Sequence, residues 1–144
     1  SGITVSDSLL EAYEAVKLKS ANKFLLFTLE KVGESGSKST WDWKIVEASE
    51  KDGDNKERWE EMTGKLPEDE ARFVVFDFQD TKADGRLVKK LVLIKWCPDT
   101  VHFRTKPIIG ASYQTLKNKL DGIALDVEAT DFDEIEYETI KKLL

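Results

Sequence analysis

Few residues of this 144-residue chain could do chemistry, and each belongs to a fragment of a site rather than a whole one. Lys38-Ser39 ends the stretch GESGSKS (33–39), the nearest approach to a phosphate loop, but the G-x-x-x-x-G-K-[ST] spacing needs glycines where Val32 and Ser37 stand. Without them the backbone cannot cradle a phosphate, and the stretch reads as a mobile hairpin loop. Asp52, Asp54 and Asn55 suggest the start of a calcium loop, yet Lys56 occupies the third ligand position and Thr63 stands where the bidentate glutamate belongs. That stretch reads as a plain turn. His102 is the only histidine and Cys97 the only cysteine, so there is no imidazole cluster for a metal, no second imidazole for a proton relay and no internal disulfide. Cys97 lies inside an apolar run and is expected to be a buried thiol in a reducing cytosol. Neither an enzyme nor a cofactor or metal site is expected.

What remains is the distribution of charge. The net charge is -6, but residues 86–119 carry eight basic side chains (Arg86, Lys89, Lys90, Lys95, Arg104, Lys106, Lys117, Lys119) against one acid, Asp99. That segment therefore carries +7, while the remainder, with fourteen basic and twenty-seven acidic residues, carries -13. A basic stretch on an otherwise acidic molecule suits docking on an acidic partner. Solubilising lysines would give the same count, so charge alone does not decide the function.

The elements that must position these groups follow from periodicity. At 40% hydrophobic and 35% charged residues, the chain suits one domain spanning 1–144 with one core. No apolar run reaches the ~20 residues of a membrane span, and no basic-then-apolar leader opens the chain, so an intracellular protein is expected. SLLEAYEAVKL (8–18) puts Leu9, Leu10, Tyr13, Val16 and Leu18 on one helical face, with Ser6 or Asp7 as N-cap. FLLFTL (24–29) and residues 41–48 read as a hairpin around the 33–39 loop. Residues 52–55 form a turn, and 56–63 a helix presenting Trp59 and Met62 before Gly64.

ARFVVFDF (71–78) and LVKKLVLIKWC (87–97), joined by the turn at Ala83-Asp84-Gly85, are apolar enough for central strands covered on both faces. Pro98 stops the second strand. From Pro107 a helix runs to Leu120 with Ile109, Ser112, Leu116 and Leu120 inward, followed by Gly122, a strand at 123–129 and a last helix at 133–144. The order α-β-β-α-β-β-α-β-α implies an α/β fold: a central mixed sheet of about five strands with helices on both faces.

Three segments resemble the ADF/cofilin family at consistent spacing. They are Ser1-Gly2-Ile3-x-Val5-Ser6-Asp7; Trp96-Cys97-Pro98-Asp99-Thr100 followed by Arg104-x-Lys106 and a helix ending Leu120-x-Gly122-Ile123; and Ala129-Thr130-Asp131-Phe132. Leu66-Pro67 and Ala71-Arg72-Phe73 also fit, so the resemblance covers nearly the whole chain. It implies an ADF-homology domain that binds actin monomers and filaments and promotes filament depolymerisation and severing. It maps actin contacts to Ser1, Gly2, Ile3, Arg104, Lys106, Lys117 and Lys119. Arg104 and Lys106 stand at a helix N-terminus, where the macrodipole disfavours cations by roughly 0.3–1 kcal/mol, which hints at external use.

An outer stripe of Lys106, Gly110, Gln114 and Lys117, with Ile108 and Ala111 beside it, suits insertion into a groove, by resemblance actin's inter-subdomain cleft. Ser1 would be the family's phosphorylation switch, since about -1.5 to -2 of added charge would oppose docking on acidic actin. Arg86, Lys89 and Lys90, with Lys141 and Lys142, are the candidates for filament contact. The chain departs from the family pattern at Pro107, Ile109 and Tyr113, which bears on monomer affinity, and it stops at Leu144 where many relatives extend the last helix, which leaves monomer binding the better-supported expectation than filament binding and severing. Expected besides are phosphoinositide lipids as regulators, a monomeric state, and a cytoplasmic, cytoskeleton-associated location; nucleic acid and integral membrane segments are not. The rivals are the glia-maturation-factor and coactosin types, which share the fold without depolymerising filaments, and a membrane-surface module that binds phosphoinositides at about 1 kcal/mol per basic residue.

Overall fold

A computed structural model describes residues 5–144. Its elements are α1 (Asp7–Lys19), β1 (Phe24–Ser35), β2 (Lys38–Ala48), α2 (Asn55–Thr63), β3 (Arg72–Thr81), β4 (Leu87–Trp96), α3 (Lys106–Lys119), β5 (Ile123–Ala129), a 3-10 turn (Phe132–Ile135) and α4 (Tyr137–Leu143). The five strands form one sheet in the order β2-β1-β3-β4-β5. Every pairing is antiparallel except β4 with β5, which α3 connects as a crossover, so the sheet is mixed as the element order implies.

Strand alternation sorts the core into two layers. Leu25, Phe27, Phe73, Val75, Leu91 and Leu93 meet Leu9, Tyr13 and Val16 of α1 and Ile109, Tyr113 and Leu116 of α3. On the other face Phe24, Leu26, Val74, Phe76, Val92, Ile94 and Trp96 meet Trp59 and Met62 of α2 and Ile135 and Ile140. Two of the three buried indoles are anchored by hydrogen bonds: Trp59 Nε1 donates to Ile135 O at 2.8 Å and Trp96 Nε1 to Pro67 O at 2.6 Å, whereas Trp43 Nε1 has no partner among the described residues.

Four local expectations need correction. The 33–39 stretch is not a loop, because pairing runs from Leu29↔Trp43 to Ser35↔Lys38 with one register shift between Lys31 and Gly33, and only Gly36 and Ser37 turn the chain, Gly36 at φ +62. Only Phe24 to Phe27 of β1 also pair with β3, so the outer hairpin extends past the sheet as a two-stranded ribbon. The last helix does not start at Asp133: the Asp131 carboxylate accepts from Glu134 N at 3.1 Å and holds a 3-10 turn, Glu136 is extended, and α4 begins at Tyr137. Leu18 is 70% exposed and lies off the inner face of α1. Ser6 is the N-cap of α1 by position, but its side chain makes no capping bond.

Candidate functional site

The two clusters of sequence-predicted residues sit at opposite ends of β4, about 30 Å apart by the length of a ten-residue strand. Past its C-terminal end, Pro98 halts the ladder and residues 97–105 turn back toward α3. Short bonds fix that turn: Cys97 N donates to Ala129 O at 2.9 Å, Val101 N to Pro98 O at 3.0 Å, and Thr100 Oγ1 to Glu68 O at 2.8 Å. Burial pushes the Cys97 thiol up, against the pull of Lys95 and Lys106, so it stays protonated and structural.

The turn displays His102, Phe103 and Arg104 to solvent. The His102 ring stacks on Phe103 at 4.8 Å, the Arg104 guanidinium lies 5.6 Å from the Phe103 centroid, and Arg104 N donates to His102 Nδ1 at 3.2 Å. Lys106 is half-buried, and its Nζ donates to Asp99 O at 3.1 Å. Phe103 is 70% exposed beside the basic pair, a neighbour that sequence reading missed because the residues between Pro98 and Pro107 carry no periodicity.

Along α3 the outward surface is small and polar. Pro107, Ala111, Gln114, Asn118 and Lys119 are exposed, Ile108 and Gly110 are half-buried, and a Cβ built on Gly110 would meet nothing within 4 Å. Lys117 does not continue this stripe. It is half-buried, with Nζ 3.9 Å from Asp126 and 5.2 Å from the Tyr113 ring centroid. Tyr113 itself turns inward beyond the predicted inner stripe: it is 1% exposed, stacks on Phe73 at 6.2 Å and receives Lys95 at 5.9 Å on its ring. Burial, with Asp126 and Glu128 nearby, holds its phenol well above the usual range. Ser1, Gly2 and Ile3 lie outside the described residues.

At the other end, Arg86 is exposed on the β3–β4 turn and Lys90 Nζ donates to Leu144 O, so Lys90 sits beside α4, whose Lys141 and Lys142 are exposed. Asp80 lies among these cations. Its hydrogen bond from Lys82, then the charges of Lys82, Lys90 and Lys141, hold its carboxyl below the usual range. Lys82 belongs to this group spatially and was missed because it stands in the turn flank rather than the basic run. Lys89 is not brought to it: one residue from Lys90, it faces the α1 side, where Nζ meets Asp77 Oδ2 at 2.5 Å and Ser20 Oγ at 2.9 Å. Among the described residues no group of three or more His, Cys, Asp and Glu could hold a metal, and no helix is long and apolar enough to cross a membrane.

These elements make an α/β domain whose mixed sheet carries an outer helix, α3, with small residues at its centre and cations at its ends. A family model described as cofilin/tropomyosin-type actin-binding protein matches residues 2–144. The chain is 31% identical over 140 residues to cofilin of Schizosaccharomyces pombe, covering 97% of this chain and 93% of that one. It is 29% identical over 141 residues to actin-depolymerizing factor 3 of Arabidopsis thaliana, covering 98% and 94%. Cofilin of Streptomyces griseoflavus superposes with a TM-score of 0.75 at 26% identity over 98% of both chains. Coactosin from Entamoeba histolytica shares the fold, with a TM-score of 0.71 at 17% identity over 98% of this chain and 93% of that one. The chain belongs to the ADF/cofilin family of actin-binding proteins.

Proposed function

We propose that this protein binds actin monomers and filaments and promotes filament depolymerisation and severing, acting as a single-domain monomer in the cytoplasm. The observation that supports the reading best is the outward surface of α3, open at Gly110 and headed by the exposed Arg104. Small residues along the centre let the helix lie deep in a groove, and the flanking cations steer it to an acidic rim. The group Arg86, Lys90, Lys141 and Lys142 is far enough from α3 to engage a second subunit of a filament. Lys89, held on Asp77, is the weakest member of that set. Phosphorylation of Ser1 would weaken docking by adding negative charge before α1.

Single-filament fluorescence microscopy tests this reading. Added protein should shorten filaments and raise the frequency of breaks. Decoration without shortening would favour the coactosin type, which has this fold. The exposed cations also support anionic phosphoinositide vesicles as regulators, in which case vesicles should compete with actin for the protein; strong vesicle binding without actin binding would make the lipid the primary partner.

A further inference from the structure

On the sheet face away from α1 and α3, a groove of about 330 Å³ lies between α2 and the segment leading into α4. Trp59 and Ile135 line it with Phe132 and Tyr137, while Glu60, Glu136 and Glu138 supply carboxylates. Phe132 is 42% exposed and Tyr137 half-buried, so part of this aromatic surface is open to a ligand. The lining is rigid: Trp59 is held by its bond to Ile135 O, the Tyr137 ring lies 6.4 Å from it, and Phe132 packs on Trp96 at 4.5 Å.

The charge around the groove is one-sided. Residues 131–138 (DFDEIEYE) hold five acids and no base, and Lys56 is the one cation in the lining. Eleven ion pairs form among the described residues, and none includes Glu60, Glu136 or Glu138. Unpaired carboxylates beside open ring faces favour a cation that can use both, by charge at a distance and by contact with the ring close in. A planar guanidinium satisfies both better than an ammonium, because it stacks on an aromatic face while its fork meets a carboxylate.

We propose that this groove is a second docking site, which takes an arginine-bearing segment of a partner protein. It lies on the opposite face from α3, so both surfaces can be occupied at once. The inference does not depend on the actin reading.

The test is a chemical-shift titration of the 15N-labelled protein at physiological ionic strength with the peptide acetyl-Gly-Leu-Arg-Leu-Arg-Gly-amide, and with the same peptide carrying citrulline for arginine. The expected result is shifts centred on the Trp59 indole N–H and the amides of Glu60, Phe132 and Tyr137, absent with the citrulline peptide. Glu60→Gln/Glu138→Gln should weaken binding about fivefold, and Arg104→Ala/Lys106→Ala should leave it unchanged. No binding, shifts spread evenly over the acidic surface, or equal affinity for the two peptides would overturn the proposal.

Discussion

Lys89 Nζ lies 2.5 Å from Asp77 Oδ2, and that carboxylate's side chain is only 1% exposed. Gln79 Nε2 donates to the same oxygen at 2.8 Å, and Lys23, buried close by, donates to Asn55 Oδ1 at 2.7 Å. Lys89 is therefore a structural partner of a buried acid, whereas Lys90 one residue on faces α4.

This relationship separates two variants that sequence treats alike. Lys89→Ala leaves the Asp77 carboxylate buried with less compensation and should lower stability by about 2 kcal/mol. Lys90→Ala should lower it far less and weaken filament binding instead. Urea denaturation paired with filament binding checks both; equal stability loss in the two variants would contradict the assignment.

Gly110 gives a second separation. It sits within α3 with open space where a Cβ would stand, so Gly110→Ala should stabilise the fold by about 0.5–1 kcal/mol through the helix backbone. Gly110→Trp should keep the fold and block close approach of the helix to a partner. Thermal denaturation together with actin-monomer affinity reads the two effects independently.

Tyr13 predicts a pH dependence. Its Oη donates to Asp121 O, and burial, with Asp121 and Glu14 nearby, pushes its pKa up from 10.0 to about 12. The phenol is neutral in both states below pH 10, so its contribution is then fully present. Between pH 10 and 12 the unfolded state loses the proton first, and stability falls. The stability difference between wild type and Tyr13→Phe should shrink across that window in denaturant titrations at pH 9 and 11. A constant difference would contradict the burial argument.

Much of this fold was legible in the sequence because its cues were local. The apolar runs at 71–78 and 87–97, the inner face Leu9, Tyr13 and Val16, and the Trp59/Met62 pair all lie where periodicity puts them. The long hairpin was not, since Gly, Ser and Lys composition imitates a loop while backbone pairing needs no apolar side chain. Nor could the different fates of Lys89 and Lys90 be read, because they depend on Asp77, twelve residues away on β3, and on which sheet face each position takes. Tyr113 went unplaced for a related reason: it is four residues from Ile109 and belongs to the same inward face, but its polar oxygen argues for solvent when the Lys95 and Lys117 contacts on its ring are unknown.

The proposed actin contact rests on α3, which begins at Lys106, and on Arg104 two residues before that start. High-speed co-sedimentation with preformed actin filaments, comparing wild type with Arg104→Ala/Lys106→Ala, tests it most directly. Wild type should move actin to the supernatant, and the double variant, folded to the same extent, should need at least about tenfold more protein for the same effect. Equal activity of the two proteins, or actin that stays in the pellet with wild type, would contradict the account.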